Sequence, residues 1–388
     1  MARKRRWTGT LFRFLLYASA ASLAVTFFST DHFNAFGGAA DALTLSRMKP
    51  SSQFKGHKFK NDEPDFLPDR KLFVDTLDDY FFGKQLRAPG CVLPLFPNTA
   101  ELIKAAPGTG LRITWLGHSS TLIQLDGAAI LTDPIWSERA SPFTWVGPKR
   151  FHPPPLALDA LPKIDAVIIS HDHYDHLDTE TVRALAARGV PFHVPLGIGA
   201  HLAKWGVPAN QIFEHDWWES ADIKLLSGDI HLVSTPSRHF SGRGLLWRVG
   251  THWTSWSLVG PRHRVFFSGD TGYTEHFREI AKREGPFDVA MIEIGQWHPS
   301  WGDIHVGPKG ALDAFALLDA KLFFPIHWST FELAIHDWSE PAETLTLEAQ
   351  KRGVPITTPM LGQPVEPGFN APANPWWRAL PPTVAQCP

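Results

Sequence analysis

From Leu111 onward, short apolar runs alternate with turn-rich and amphipathic stretches. LRITWLG (111–117) and TLIQLDGAAILTDP (121–134) read as successive strands, with turns at Gly117 and Asp126-Gly127. KIDAVIIS (163–170) is a continuous apolar run, the mark of a strand covered on both faces. DTETVRALAARG (178–189) has helical periodicity, with Asp178 or Thr179 as N-cap and Gly189 as stop. Further strand-like runs are HLVSTPSRH (231–239), HRVFFSGD (263–270), DVAMIEIG (288–295) and KLFFPIH (321–327). Helical pieces lie between several of them, at EHFREIAKREG (275–285) and GPKGALDAFALLD (307–319). Alternating β and α signals over this length predict an α/β architecture. No internal repeat of fixed period is present. PSSQFKGHKFKNDEPDFLPD (50–69) reads as a turn-rich lead-in, and VEPGFNAPANPWWRALPP (365–382) as a Pro-rich end.

Composition adds a sizeable core: 44% hydrophobic and 20% charged residues in a 388-residue chain describe a globular protein. A net charge of −2 gives no reason to expect a nucleic acid partner. Cys91 and Cys387 are the only cysteines, too few for a disulfide framework. The 16 tryptophans against 4 tyrosines suit a core, and their excess also suits a lipid interface. The basic MARKRRW start precedes an uncharged run of 15 residues, Phe14 to Phe28, which reads as a signal peptide or, preferably, a signal anchor. Such an anchor would leave the rest of the chain outside the inner membrane. The expected organisation is a signal anchor or signal peptide at 1–29, an N-terminal extension at 30–105, a main domain at 106–365 and a Pro-rich tail at 366–388. Oligomeric state is not legible.

Candidate chemistry is concentrated where apolar runs end. Residues 170–178 read SHDHYDHLD. With 19 histidines in the chain, a chance H-x-H-x-D-H has odds on the order of a few in a thousand. His171, His173, Asp175 and His176 follow KIDAVIIS, His239 ends HLVSTPSRH, Asp270 ends HRVFFSGD and His327 ends KLFFPIH. Side chains at the carboxyl ends of neighbouring strands converge on one crevice. Imidazoles with carboxylates and no thiolate suit zinc, with manganese or iron as alternatives. These residues are too many for one tetrahedral ion and about right for two that share a carboxylate.

The H-x-H-x-D-H signature, the later single histidine, the GDTGY aspartate and the IHW histidine resemble the metallo-β-lactamase fold hydrolases. LGHSST, LTDPIWSERASPFTWVGPKRF, LPKIDAVIISHDHYDHLD, DWWE, FFSGDTGY and IHWSTF resemble, within them, N-acylphosphatidylethanolamine-hydrolysing phospholipase D. The likeness runs from about Ile113 to Phe331. It implies an αβ/βα sandwich of two mixed sheets flanked by helices, with main domain 106–365 as the hydrolase. It also implies two zinc ions: His171, His173 and His239 on one, Asp175, His176 and His327 on the other, and Asp270 bridging. Asp133 would orient a ligand histidine, although a turn aspartate before Pro134 explains it nearly as well. Asp172 stands at a position the family lets vary. His305, in DIHVGPKGA, matches a histidine that would bind the phosphate or assist the leaving group, so Asp270 and His305 are the catalytic candidates.

The implied activity is zinc-dependent hydrolysis of a membrane phospholipid, N-acylphosphatidylethanolamine, to phosphatidic acid and an N-acylethanolamine. The zinc pair would activate the attacking water. No G-x-S-x-G nucleophile elbow is present. The alternatives are a hydrolase of another substrate class on the same fold, such as a lactone or another phosphodiester, and a non-enzymatic, membrane-tethered zinc-binding protein. The chain departs from the family at Glu293-Ile294-Gly295-Gln296-Trp297, where Pro-Ile-Gly-Ala-Tyr is usual. The expected location is the bacterial cell envelope, anchored in the inner membrane with the catalytic domain outside, or exported. His118 belongs to the motif match without an assigned role, and His152, His193, His201 and His215 read as packing or surface residues. Trp217 and Trp218 read as structural.

Overall fold

The computed structural model describes residues 31–64, 76, 78–243 and 250–380. In the N-terminal extension the helix Ala42–Met48 precedes a hairpin of β1 (Phe54–Lys55) and β2 (Lys58–Phe59). Met48 and Phe59 pack with Leu196, Trp217 and Trp253, which fastens the extension to the main body.

The runs from Leu111 onward form two mixed sheets. In chain order the first contains β3 (Leu111–Gly117), β4 (Ser120–Leu125), β5 (Ala128–Thr132), β6 (Ala166–Ile168), β7 (Phe192–Pro195), β8 (Ile212–His215) and the late strand β15 (Pro364–Val365). Pairing is antiparallel from β15 through β3 and β4 to β5, then parallel to β8. The second sheet contains β9 (Ser220–Ile223), β10 (Ile230–Thr235), β11 (Ser255–Val259), β12 (Arg264–Phe267), β13 (Phe287–Glu293) and β14 (Ala320–Ile326). It is antiparallel from β9 to β12 and parallel from β12 to β14.

Side-chain alternation explains the layering. Ile113, Trp115, Ile123, Leu125, Ile130 and Ile168 point into the core shared with Leu232, Trp256, Leu258 and Phe267 of the second sheet. Their neighbours Leu116, Leu122, Leu131 and Val167 point the other way, onto Val182, Leu185, Ile198 and Leu202. These last belong to the helices Thr179–Ala187 and Ile198–Lys204. The helices His276–Glu284 and Gly307–Leu318 supply Phe277, Ile280, Leu312 and Phe315 to the second sheet's side. The result is the expected αβ/βα sandwich.

Several local expectations hold for visible reasons. Asp126 and Gly127 form the two-residue turn between β4 and β5 with φ of +48° and +104°, the twist that two-residue hairpins favour. Asp178 does begin its helix, but its carboxylate accepts from the Trp136 and Ser137 amides and the Ser137 hydroxyl instead of capping. Of KIDAVIIS, only Ala166–Ile168 pair as a strand, and all three are fully buried. In the described part of the Pro-rich tail, Trp377 is buried and its ring lies 5.4 Å from that of Trp328.

The membrane expectations are corrected. The run 14–28 lies outside the described residues, and among the described residues no helix is long and apolar enough to cross a membrane. Glu340–Arg352 is 13 residues long, whereas a spanning helix needs about 20 predominantly apolar ones. The signal anchor, the membrane association, the membrane-bound substrate partner and the inner-membrane envelope location are therefore withdrawn.

Candidate metal centre

The two sheets deliver their ligand-type side chains to one edge of the sandwich. After β6 the chain turns through 171–176, and His239 and Asp270 follow β10 and β12 after short loops. His327 immediately follows β14. All of the sequence-predicted ligands meet here, in two groups: His171, His173, His239 and Asp270, and His118, Asp175, His176 and His327. Asp270 Oδ2 stands between them, 3.1 Å from His176 Nε2, 3.1 Å from His327 Nε2, 3.7 Å from His171 Nε2 and 3.8 Å from His239 Nε2. Asp175 Oδ2 lies 3.3 Å and 3.4 Å from His176 and His327 Nε2. Bond lengths of 2.0–2.1 Å give tetrahedral zinc a ligand-to-ligand edge of about 3.3 Å. The spacing fits that edge.

Orphaned atoms give an independent test of fit. His171 Nε2, His176 Nε2 and Asp270 Oδ1 are buried without any hydrogen-bond partner. Unpartnered buried polar atoms are costly, and a cation in each ligand group, with Asp270 shared, would satisfy all three. The opposite ring nitrogens are tied down, as in metal sites whose ligands are oriented by their neighbours. His176 Nδ1 donates to Asp133 Oδ2 at 2.7 Å, and His239 Nδ1 donates to the Ile304 carbonyl at 3.0 Å. His171 Nδ1 pairs with Ser170 Oγ at 2.8 Å. Asp133 is itself held by the Ser170 amide and hydroxyl, so its orienting position is seen directly.

Electrostatics agree with a ligand cluster. Burial and the neighbouring imidazoles push His171 and His239 well below the ordinary histidine range, which leaves them neutral bases. For Asp270, burial alone would raise the carboxyl, but His176 and His327 outweigh it and hold it well below the usual range. Conversely, burial would lower His176 and His327, and the adjacent carboxylates overcome it and raise both well above normal. Ligation needs these imidazoles deprotonated, so metal binding there releases protons.

The remaining singled-out residues separate cleanly. Asp172 faces away from the centre and accepts from the Ser241 hydroxyl and the Gly242 amide. Buried Arg243 donates to the carbonyls of Asp172, Ala35 and Leu177, which fastens the 171–177 loop. His152, His193, His201 and His215 are buried packing residues, and Trp217 belongs to the small core under the extension. His118, unassigned from sequence, is fully buried and donates Nε2–H to Asp175 Oδ2 at 2.8 Å. Burial lowers it to about 3, so it orients the carboxylate as a neutral imidazole. Asn61 of the extension was also missed: its side chain bonds both the amide and the carbonyl of His239. His118, Asp133, Gln296 and His327 have φ of +54°, +34°, +56° and +65°, and such strain in non-glycine residues gathers at functional sites.

His305 lies on the wall of a cavity of about 320 Å³, with His173, Asp175, Asp270, His327, Gln296 and apolar Phe240, Trp301, Ile304 and Leu333. Its Nδ1 is 2.6 Å from Glu293 Oε2. A second cavity of about 440 Å³ shares Phe240 and Ile304 with it and is lined also by His239, Lys58, Lys60 and Arg238.

With this geometry in hand, comparison with known proteins is decisive for the family. A family model described as the beta-lactamase superfamily domain matches residues 128–328, which include every candidate ligand except His118. The chain belongs to the beta-lactamase superfamily. An uncharacterized protein of Mycobacterium tuberculosis is 47% identical over 349 residues, covering 87% of this chain and 91% of its own length. N-acyl-phosphatidylethanolamine-hydrolyzing phospholipase D 1 of Caenorhabditis elegans is 36% identical over 262 residues, covering 65% of this chain and 73% of its own length. Among solved structures, the metallo hydrolase Igni18 of the archaeon Ignicoccus hospitalis superposes with a TM-score of 0.50 at 23% identity. It covers 66% of this chain and 97% of its own, a likeness of fold alone. The protein is thus a metal-dependent hydrolase of this superfamily with a binuclear type of site.

Proposed function

We propose that the protein is a zinc-dependent phosphodiesterase acting on N-acylphosphatidylethanolamine-type phospholipids, with phosphatidic acid and an N-acylethanolamine as products. The observation that carries this reading is Asp270 Oδ2, placed within 3.1–3.8 Å of imidazole nitrogens from both groups, where a carboxylate shared by two cations would sit. His171, His173 and His239 would hold one zinc ion, Asp175, His176 and His327 the other, and Asp270 both. When bound, such a pair supplies Lewis acidity and makes water nucleophilic near neutral pH.

The chain's own residues do the rest. Water oxygen forms the new bond to phosphorus, and the bond from phosphorus to the ethanolamine oxygen breaks. The attacking water gives up a proton and the departing oxygen takes one, and His305 on the cavity wall, with Nδ1–H engaged by Glu293, has the Nε2 lone pair to carry it from one to the other. Phe240, Trp301, Ile304 and Leu333 exclude water and offer an apolar wall to the lipid. Support for the substrate class comes from the identity to the nematode phospholipase and from Lys58 and Lys60 in the adjoining cavity, which suit an anion.

A second reading, a hydrolase of another substrate class at the same centre, is favoured by a specific observation. Glu293, where the phospholipase family usually has proline, is fully buried and bonded to the cavity-wall His305. The two readings separate in one assay. The purified protein is given N-acylphosphatidylethanolamine in detergent micelles, a bis-aryl phosphodiester and an acyl lactone. The expected outcome is turnover of the phospholipid to both named products at a kcat/KM well above the other two. Turnover of the lactone with none of the phospholipid would replace this reading by the second.

A further inference from the structure

Glu293 is a charged residue at the end of β13, after the apolar run Val289–Ile292, and it is 0% exposed. Burying a carboxylate is expensive unless it is fully bonded, and even then it is weak evidence of a contribution to stability. Here both oxygens are hydrogen-bonded. Oε1 accepts from the amides of Thr271 at 2.8 Å and Val306 at 3.3 Å. Oε2 lies 2.6 Å from His305 Nδ1 and 3.3 Å from His327 Nδ1. One carboxylate therefore joins the backbone beside Asp270, the backbone beside His305, and the imidazole of His305.

We propose that Glu293 is the positioning residue for His305, fixing its ring and holding its proton on Nδ1 so that Nε2 is presented to the reacting oxygen. It rests on the reading of His305 as the proton-handling group of the reaction. The chemistry is directional: an ionised carboxylate only accepts, so the Nδ1 it meets must donate. A neutral His305 then carries its lone pair on Nε2, the nitrogen facing away from Glu293. A proline at this position could supply no such acceptor, so the device is a property of this chain's own residues.

Glu293→Gln is the informative change. Its amide oxygen still accepts from Thr271 and Val306, which preserves the loop. Its amide nitrogen now donates to His305 Nδ1, which drives the imidazole proton to Nε2. The first readout is independent of activity: ¹⁵N NMR of the histidine tautomers in zinc-loaded protein, with His305 assigned by its loss in His305→Ala. The wild type is expected to show Nδ1–H, and Glu293→Gln Nε2–H, with zinc content and melting temperature unchanged. The second readout is a double-mutant cycle on the substrate turned over fastest. Glu293→Gln is expected to lower kcat by roughly 10²–10⁴-fold, the range of general acid–base help, with little change in KM. In the His305→Ala background the same substitution is expected to have no further effect, since a residue acting through another cannot act without it.

An unchanged tautomer in Glu293→Gln would overturn the proposal. So would a loss of kcat that persists at full size without His305, or one that follows zinc loss. If His305→Ala turns over normally, the catalytic reading of His305 fails on that result alone, and the tautomer measurement still decides whether Glu293 sets its proton.

Discussion

Replacing Asp270 by alanine is expected to reduce bound zinc from about two ions per chain to one or none and to lower turnover at least about 10³-fold. Asp270 is only 3% exposed, and its Oδ2 lies within 3.1–3.8 Å of His171, His176, His239 and His327. Asp175, the other carboxylate among the proposed ligands, reaches only His118, His176 and His327. Removal of Asp270 takes a ligand from each ion and leaves two mutually close imidazole groups with no charge between them. Two-metal catalysis depends on both ions clamping the displaced oxygens, so losing one removes several kcal/mol of transition-state stabilisation. Elemental analysis and kcat on the same preparation check this. Wild-type zinc content in Asp270→Ala would remove the bridging role.

The second large effect concerns His305. It is outside the proposed ligand set, so His305→Ala is expected to leave zinc content unchanged. With its imidazole acting on the leaving oxygen, kcat is expected to fall by roughly 10²–10⁴-fold. Zinc content, melting temperature and kcat measured together separate three roles. Lost zinc would make it a ligand, lost thermal stability with normal turnover a packing residue, and the fall in kcat alone a proton-handling group.

The centre was legible because its ligand chemistry is local in sequence. His171 to His176 lie in one loop, and Asp270 and His327 close two apolar runs whose strand character follows from burial on both faces. Partners set by the fold were not legible. His118 meets Asp175 across 57 positions and Asn61 meets His239 across 178, and neither pairing leaves a local pattern. Glu293 did leave one, a charge that closes the apolar run Val289–Ile292, but only the folded chain shows that the charge faces His305. Asp178 shows the converse: a residue suited to capping was taken by the Trp136–Ser137 loop instead. The membrane expectation failed differently. It rested on residues 14–28 and on aromatic content, whereas the described tryptophans are largely packing elements, with Trp115, Trp256 and Trp328 fully buried.

The most direct measurement is anomalous X-ray scattering at the zinc edge from crystals of protein purified without chelator, backed by elemental analysis. Two zinc peaks about 3.5–4 Å apart are expected, one among His171, His173 and His239, the other among Asp175, His176 and His327, with Asp270 touching both. Protein that holds no transition metal and takes up none when zinc is added would contradict the two-metal centre.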